Sequence, residues 1–384
     1  MLRSRGMLSL VLFLGGTFLS ATLAAPPLVI FGDSLSDQGN RAQQFENANF
    51  NFPAFYYKSS RWSNGPVWND YFDESMTEAT DPAVEKRVVA NYAFGSSQAC
   101  RAADGIDGIP AAPKLSAQIE TFLSGQPPLR LNNAPSSGPW EDLGGAGPID
   151  FAIAIGSNDF FARLLALRDP SFDDVVELLT DFEDDVIKCV VSGVEQLLSG
   201  LPRGQQSTMM VAGLTKISGV PALSESLVKE GLGVVIENAR EDYNLKLQDE
   251  LGKMSVRDNT TLVYLDLSSM EDDAKQRARI DEAPLQPVEQ LEGRCLETDF
   301  PGNKRNPTSN INPDNLDTCD DHFFYDKAHP TEPVHRFFGQ QIAAAFANPK
   351  DNRYTSSAAH GFHHFFSLIA LLSSIGIACL VVGV

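Results

Sequence analysis

Residues 28–37 read LVIFGDSLSD. The apolar run from Leu28 to Phe31 is typical of a strand buried on both faces, and the glycine after it begins a polar turn. Four similar apolar runs follow along the chain, at Val88–Tyr92, Phe151–Ile155, Met209–Ala212 and Leu262–Leu265. Such strands occur in parallel sheets that helices cover on both sides, so these five runs predict one parallel sheet.

Stretches with helical periodicity alternate with these strands. They are Leu115–Leu123, Val175–Leu198, Leu223–Leu251 and Val334–Phe346. This alternation is typical of a doubly wound α/β fold. We therefore expect one domain over residues 26–350, a flavodoxin-like three-layer α/β/α sandwich with a central, mainly parallel five-stranded sheet. Asp281–Asp321 has no periodicity and predicts a long loop.

The composition excludes some classes of partner. Of the 384 residues, 43% are hydrophobic and 21% are charged, which is an ordinary balance for a globular protein. Thirty Lys and Arg residues against 50 Asp and Glu residues give a net charge of −20. A surface of this sign repels phosphate backbones, so we expect no nucleic-acid partner.

The first 25 residues have the layout of a secretory signal peptide. Arg3 and Arg5 supply positive charge, and an apolar run extends from Met7 to Leu23, where small residues suited to cleavage follow. We expect residues 1–25 to be removed and the remaining chain to be secreted.

Residues 351–384 combine a polar spacer with an apolar tail. The 20 residues from Phe365 to Val384 carry no charge, and the small residues Ser356-Ser357-Ala358 precede them. This order is typical of a signal for a glycosylphosphatidylinositol anchor, with Ser356 as the attachment residue. A retained membrane helix is the alternative. Either interpretation places the protein outside the cell and at a membrane.

The cysteines fit an exported protein. Cys379 lies in the tail, and the other four cysteines allow two disulfides in three possible pairings: Cys100, Cys189, Cys295 and Cys319. We expect Cys295 to pair with Cys319, because that bridge closes the long loop. Asn259-Thr260-Thr261 is an N-glycosylation sequon ahead of a predicted strand.

A serine, a histidine and an aspartate provide the elements of nucleophilic catalysis. Ser34 follows the first strand, and the carboxyl ends of parallel strands form the crevice where such folds bind ligands. A serine hydroxyl needs a base that titrates near neutrality, and a histidine fits. Asp326 precedes His329 by three residues, so a turn can bring its carboxylate onto the ring. We interpret the neighbouring His322 and His335 as structural.

Two further segments can stabilise negative charge. The side-chain amide of Asn158, after the third strand, is a neutral donor for the oxygen of a tetrahedral intermediate. The loop after the second strand can add a backbone N–H, from Gly95 or Ser96.

Together these segments resemble the sequence blocks of the GDSL-type (SGNH) hydrolases, which include esterases, lipases and lysophospholipases. The first block runs from Phe31 to Asn40 and the last from Asp326 to His335. Residues 61–66, RWSNGP, resemble a segment of secreted fungal and plant-like members. The resemblance covers the chain from Leu28 to Phe346. It implies the SGNH hydrolase fold, a three-layer α/β/α sandwich, with neither a metal nor an organic cofactor.

The same resemblance implies a role for each candidate residue. Ser34 would be the nucleophile, His329 the base and Asp326 its orienting partner. The oxyanion hole would combine three donors: the N–H of Ser34, a backbone N–H of Gly95 or Ser96, and the amide of Asn158.

One departure from the family pattern concerns the second block. Family members often have two adjacent glycines where this chain has Gly95-Ser96. Ser96 can supply the N–H unless the backbone there requires a positive φ.

The predicted function is that of a secreted or surface-anchored serine ester hydrolase that forms an acyl-enzyme. Its substrate stays open among acyl and acetyl esters of lipids and carbohydrates. Two alternatives use the same fold, an acyltransferase with the same site and a surface binding protein without catalysis. We also expect the loop closed by Cys295 and Cys319 to border the pocket and to set the acyl size.

Overall fold

In the computed structural model of the protein, the described residues are 26–49, 60–72, 88–102, 110–129, 147–164, 172–223, 231–280, 282–285, 287–296, 319–350 and 355–357. The predicted signal peptide and the apolar tail lie outside these ranges. No helix within them combines the length and apolarity needed to cross a membrane.

Five parallel strands form the centre of the fold, as predicted. Their order across the sheet is β2-β1-β3-β4-β5. They are β1 Leu28–Gly32, β2 Val89–Asn91, β3 Ile149–Ala154, β4 Ser207–Ala212 and β5 Thr260–Leu265. The last three begin two residues earlier than predicted. In β4, for example, the polar residues Ser207 and Thr208 precede the apolar run, yet they pair with the neighbouring strand.

The described ranges contain three further strands that the sequence does not predict. β6 Gln290–Arg294 and β7 His322–Phe324 pair in parallel as a separate sheet, so the segment expected to be a loop contains a strand. β8 Thr355–Ser357 pairs antiparallel with β5 at the edge of the main sheet. Ser356, the predicted anchor residue, lies in this edge strand opposite Tyr264.

Seven helices of eight residues or more surround the sheet in the described part of the chain. They are α1 Asn40–Asn47, α2 Leu115–Leu123, α3 Ser157–Leu164, α4 Phe172–Gly200, α5 Gly233–Lys253, α6 Leu267–Ala278 and α7 Glu332–Ala347. The helix predicted to begin at Leu223 begins instead at Gly233, because Gly231 has a φ of +81° and interrupts the helical conformation.

The helices cover both faces of the sheet, so the predicted α/β/α sandwich is confirmed. Val29 and Phe31 belong to the core under α2, α4 and α5, whereas Leu28 and Ile30 belong to the core under α6 and α7. All four side chains are fully buried. Because successive residues of a strand point to opposite faces, burial of both faces produces a continuous apolar run.

The strand order creates a crevice at the carboxyl end of β1. β2 lies on one side of β1 and β3 on the other, and ligands bind at such a switch point. A Cβ atom on Gly32 would lie 2.5 Å from the carbonyl oxygen of Ala154. Only glycine allows this close approach, which sets the turn with Ser34 against the loop after β3.

Two disulfides connect the loops to the sandwich. Cys295 pairs with Cys319, as predicted, and joins the end of β6 to the residues before β7. Cys100 pairs with Cys189, which the sequence left open among the possible pairings, and joins the loop after β2 to α4.

Candidate active site

Ser34 lies in the turn after β1 and is nearly buried, with 8% of its surface exposed. The carboxylate of Asp33 accepts the N–H of Leu35 at 3.1 Å, and its carbonyl accepts the N–H of Ser36 at 3.1 Å. The side-chain amide of Gln118 bonds both backbone groups of Gly32, each at 2.9 Å. These contacts hold the turn on both sides of Ser34.

The Asp326 carboxylate lies against the His329 ring in the turn before α7. Its two oxygens are 2.9 and 2.8 Å from Nδ1, and Oδ1 also accepts the backbone N–H groups of Ala328 and His329, both at 2.8 Å. A carboxylate only accepts hydrogen bonds, so Nδ1 carries the proton of the neutral ring. The other nitrogen, Nε2, is then able to accept a proton.

The Asp326 carboxyl keeps its charge despite its burial. Burial alone would raise its pKa, but the attraction of His329, the bond from the ring and the two backbone N–H bonds lower the pKa below its ordinary value. An ionised carboxylate at this position can orient the ring and stabilise an imidazolium.

Trp62 connects the histidine turn to the serine turn. Its ring centroid is 5.4 Å from that of His329, and its indole N–H donates to the Asp37 carboxylate at 3.2 Å. The charge of His329 also acts on Asp33, the residue before Ser34, and opposes the effect of burial on its pKa. Trp62 therefore contacts the His329 ring and also bonds Asp37, which belongs to the same sequence block as Ser34.

The residues after Trp62 hold the histidine turn in place. Ser63 Oγ donates to the carbonyl of Pro330 at 2.9 Å, and the Asn64 side-chain oxygen accepts the N–H of Glu332 at 2.8 Å. The Asn64 amide also donates to the carboxylate of Asp320 at 2.8 Å. The segment RWSNGP thus fixes the start of α7, just after His329.

Asp37 is a buried carboxylate that accepts five N–H groups. Its Oδ1 accepts those of Gly39 and Asn40, at 2.8 and 2.7 Å, where α1 begins. Its Oδ2 accepts three more: the backbone of Arg41 at 3.1 Å, the backbone of Gly95 at 2.8 Å and the Trp62 indole at 3.2 Å. Burial raises the pKa of Asp37, and these donors oppose the rise. The sequence alone assigns Asp37 no role, although its place before a helix is a signal for a capping carboxylate.

The backbone N–H groups of Gly95 and Ser96 differ in their partners. The Gly95 N–H donates to Asp37. The Ser96 N–H has no acceptor among the described residues, and Ser96 is exposed. The φ angle of Ser96 is +69°, a positive value that favours glycine. For a serine this conformation costs about 1 kcal/mol. Gly95 has no room for a side chain, because a Cβ atom would lie 2.3 Å from the Trp62 ring.

Asn158 lies at the start of α3, next to the loop that carries Ser96. Its side-chain amide donates to the carbonyl of Ser97 at 3.0 Å, which uses one of its two N–H bonds. The next residue, Asp159, accepts the N–H groups of Ala99 and Cys100 at 2.8 and 3.4 Å. The loops after β2 and β3 are thus joined at the carboxyl edge of the sheet.

Asp33 and Asp159 are acids that bind protons more tightly than usual. Burial raises the pKa of Asp33 to about 7 and that of Asp159 to about 6. The charge of Asp159 adds to the rise at Asp33. Near neutral pH, a large fraction of the Asp33 carboxyl is therefore protonated, directly beside Ser34.

His322 and His335, interpreted as structural, do not bond Asp326 among the described residues. His322 Nδ1 lies 2.6 Å from the Asp321 carboxylate. His335 is buried in α7, and neither ring nitrogen has a hydrogen-bond partner among the described residues. Burial, together with the charge of His329, lowers the pKa of His335 to about 3, so this ring is neutral. No three metal-ligating side chains converge within the described ranges.

Most of the loop predicted to set the acyl size, residues 297–318, lies outside the described residues. Its two ends are described. Cys295, Leu296 and Cys319 pack with Trp62 in a small apolar cluster. The base of the loop therefore belongs to the same apolar cluster as Trp62, and the predicted effect on acyl size stays a prediction.

Comparison with known proteins identifies the family. The model of the GDSL-like lipase/acylhydrolase family matches residues 28–342. Among solved structures, a protein of Parabacteroides merdae ATCC 43184 assigned as a GDSL-like lipase is 13% identical, with 84% of this chain and 97% of that chain covered and a TM-score of 0.37. No curated protein matches the chain. Because the family match spans most of the sequence, the chain belongs to the GDSL-like lipase/acylhydrolase family, whose members are hydrolases that act on ester bonds.

Proposed function

We propose that the chain is a cell-surface serine ester hydrolase with Ser34 as nucleophile, His329 as base and Asp326 as the carboxylate that orients the base. One observation carries this proposal. The Asp326 carboxylate holds Nδ1 of His329 at 2.8 Å, and Trp62, whose ring lies beside that of His329, also bonds Asp37 of the block that carries Ser34. A nucleophile, a base and an orienting group are the parts that acyl transfer requires.

The reaction proceeds in two halves. Nε2 of His329 takes the Ser34 hydroxyl proton while Oγ bonds to the ester carbonyl carbon, and the tetrahedral intermediate expels the alcohol, which leaves with that proton. Water then gives a proton to Nε2 and attacks the acyl-enzyme. The Ser34 Oγ leaves the second intermediate, regains the proton and releases the carboxylic acid.

The oxyanion in each intermediate would receive three donors: the N–H of Ser34, the N–H of Ser96 and the second N–H of the Asn158 amide. Ser96 is assigned in place of Gly95 because the Gly95 N–H already donates to Asp37. Each such donor is worth about 2.7–4 kcal/mol in the transition state.

The location of the protein belongs to the same proposal. Two disulfides fit a protein that folds in an oxidising compartment. The signal-like residues 1–25 and the apolar tail agree with export and attachment to a membrane, and Asn259 with glycosylation.

The test is the substitution Ser34→Ala, read with a chromogenic acetyl ester and with a fluorophosphonate that forms a covalent bond to activated serines. We expect turnover to fall by at least about a thousandfold and labelling to disappear. Ser199→Ala, at an exposed helical serine, is the matched control and should keep both. A Ser34→Ala variant with near-normal turnover would refute the assignment. Labelling without hydrolysis of any ester would indicate acyl transfer, and a wild-type chain that takes no label would indicate a binding protein.

A further inference from the structure

A small apolar cavity lies beside the candidate active site, between the sheet and α7. Its volume is about 30 Å³, and its walls include Ala154, Met210 and Ala212 from β3 and β4 and His335 and Ile342 from α7. The cavity therefore belongs to one face of the sheet, the face covered by α6 and α7.

The position of the cavity relates it to the nucleophile. Leu35, which directly follows Ser34, forms part of the wall, and Leu35 and Ala154 are only half-buried. The deeper walls, Met210 and His335, are each 1% exposed. The space thus extends inward from the serine turn toward the interior of the sandwich.

The chemistry of the walls suits a hydrocarbon group. The lining is apolar apart from the His335 ring, and that ring is neutral because it is buried near the charge of His329. Cavities with apolar walls stay dry, and they accept apolar ligands. A volume of about 30 Å³ holds roughly two water-sized groups, which corresponds to one or two carbons of a chain.

We propose that this cavity is the acyl subsite, and that it selects esters of short acids, with about two or three carbons counting the carbonyl carbon. The proposal rests on the proposed function, because it needs the acyl group to be attached to Ser34. The carbons next to the ester carbonyl would pass Leu35 and enter the space bounded by Met210 and Ala212.

Two adjacent methionines in β4 provide a matched test. Met210 lines the cavity, whereas Met209 is equally buried on the opposite face of the sheet. Met210→Ala enlarges the subsite, and Met209→Ala opens a similar space in the other core. Activity (kcat/KM) is measured for p-nitrophenyl esters from acetyl to octanoyl in the wild type and in both variants.

We expect the wild type to lose activity beyond propionyl. In Met210→Ala the ratio of hexanoyl to acetyl activity should rise about 15-fold, at roughly fourfold for each of two additional buried methylenes. In Met209→Ala the ratio should stay within about twofold of the wild type. Ala212→Val narrows the cavity and should lower the butyryl to acetyl ratio, whereas Val211→Ile, on the opposite face, should not.

Fluorophosphonate labelling of Ser34 separates the two proposals. Suppose the chain is labelled but the acyl profile of Met210→Ala equals that of the wild type or of Met209→Ala. The assignment of the cavity as the acyl subsite is then wrong, and the proposed function stands. A wild type that prefers octanoyl to acetyl would also overturn the subsite. If the wild type is neither labelled nor active on any ester, the proposed function itself is wrong.

Discussion

The turns of Asp33 and Asp326 have the same degree of burial but opposite electrostatics. Both residues are buried beside the proposed nucleophile and base, yet the pKa of Asp33 rises to about 7 and that of Asp326 falls below its ordinary value. His329 lowers the pKa of both carboxyls, but only Asp326 bonds its ring and accepts two backbone N–H groups, whereas Asp33 accepts the N–H of Leu35 and experiences the like charge of Asp159. Burial sets the cost of a charge, and the partners decide whether the charge persists.

Asp37 extends the comparison to a carboxylate supported by neutral donors. Its donors are all N–H groups without a formal charge, four from the backbone and one from Trp62. Its pKa is still raised, because burial outweighs the donors. The direct bond to the His329 ring therefore separates the orienting carboxylate, Asp326, from the structural ones.

The largest effect is expected for Asp326→Asn. An amide retains the shape of the side chain but cannot hold the proton on Nδ1 or stabilise the imidazolium, so kcat should fall by about 10³–10⁴-fold. Acetyl-ester hydrolysis measures this loss. The matched control is Asp321→Asn, because Asp321 contacts His322 at 2.6 Å in another Asp–His pair. Equal losses in the two variants would refute the assignment of Asp326.

Asp37→Asn should have the second largest effect. The new NH₂ group would face N–H donors where Oδ2 now accepts three of them, and buried unpaired donors cost about 1–3 kcal/mol each. We expect the free energy of unfolding to fall by at least about 3 kcal/mol in urea titrations. Because Gly95 and Trp62 lose their acceptor, kcat should fall as well, measured below the unfolding transition. A variant as stable as the wild type would show that the five bonds do not hold the loops together.

The smallest effect is expected for Asp33→Asn, and it depends on pH. The folded-state pKa of Asp33 is above the ordinary value of 3.8, so the folded form retains a proton that the unfolded form releases. This group therefore stabilises the wild type at low pH, and that contribution is lost as the pH rises from about 4 to 7, at about 1.4 kcal/mol per unit.

An asparagine at position 33 can still accept the Leu35 N–H but has no proton to release. Relative to the wild type, the variant should therefore gain about 2–3 kcal/mol of stability between pH 5 and pH 7. Urea unfolding at both pH values measures the gain. Asp159→Asn is a useful comparison, since the pKa of Asp159 rises only to about 6. The gain in stability of this variant over the wild type should therefore level off at a lower pH than that of Asp33→Asn. A difference between Asp33→Asn and wild type that does not change with pH would contradict the raised pKa.

Much of the sheet could be predicted from local pattern alone. The five parallel strands are largely buried on both faces, and continuous apolar runs identify them without knowledge of their neighbours. β6 and β8 could not be found in this way. Gln290–Arg294 is largely exposed, and Thr355–Ser357 is a strand only because the edge of β5 lies beside it.

The candidate site also combines features that the sequence predicts with features that it does not. Asp326 and His329 are three residues apart, and a single turn brings them together, so their contact could be expected from spacing. The choice between Gly95 and Ser96 could not, because it depends on Asp37, 58 residues away along the chain, accepting the Gly95 N–H. The cavity at Met210 likewise needs three strands and two helices to enclose it.

The amino-acid sequence by itself determined the sandwich, the family and the residues with reactive groups, because burial patterns and side-chain chemistry are properties of short stretches. Tertiary structure alone decided which buried acid is ionised, which backbone N–H is available and where an apolar cavity lies beside the serine turn. Those properties depend on desolvation and on hydrogen bonds between segments that are distant in the chain, and no local pattern records them.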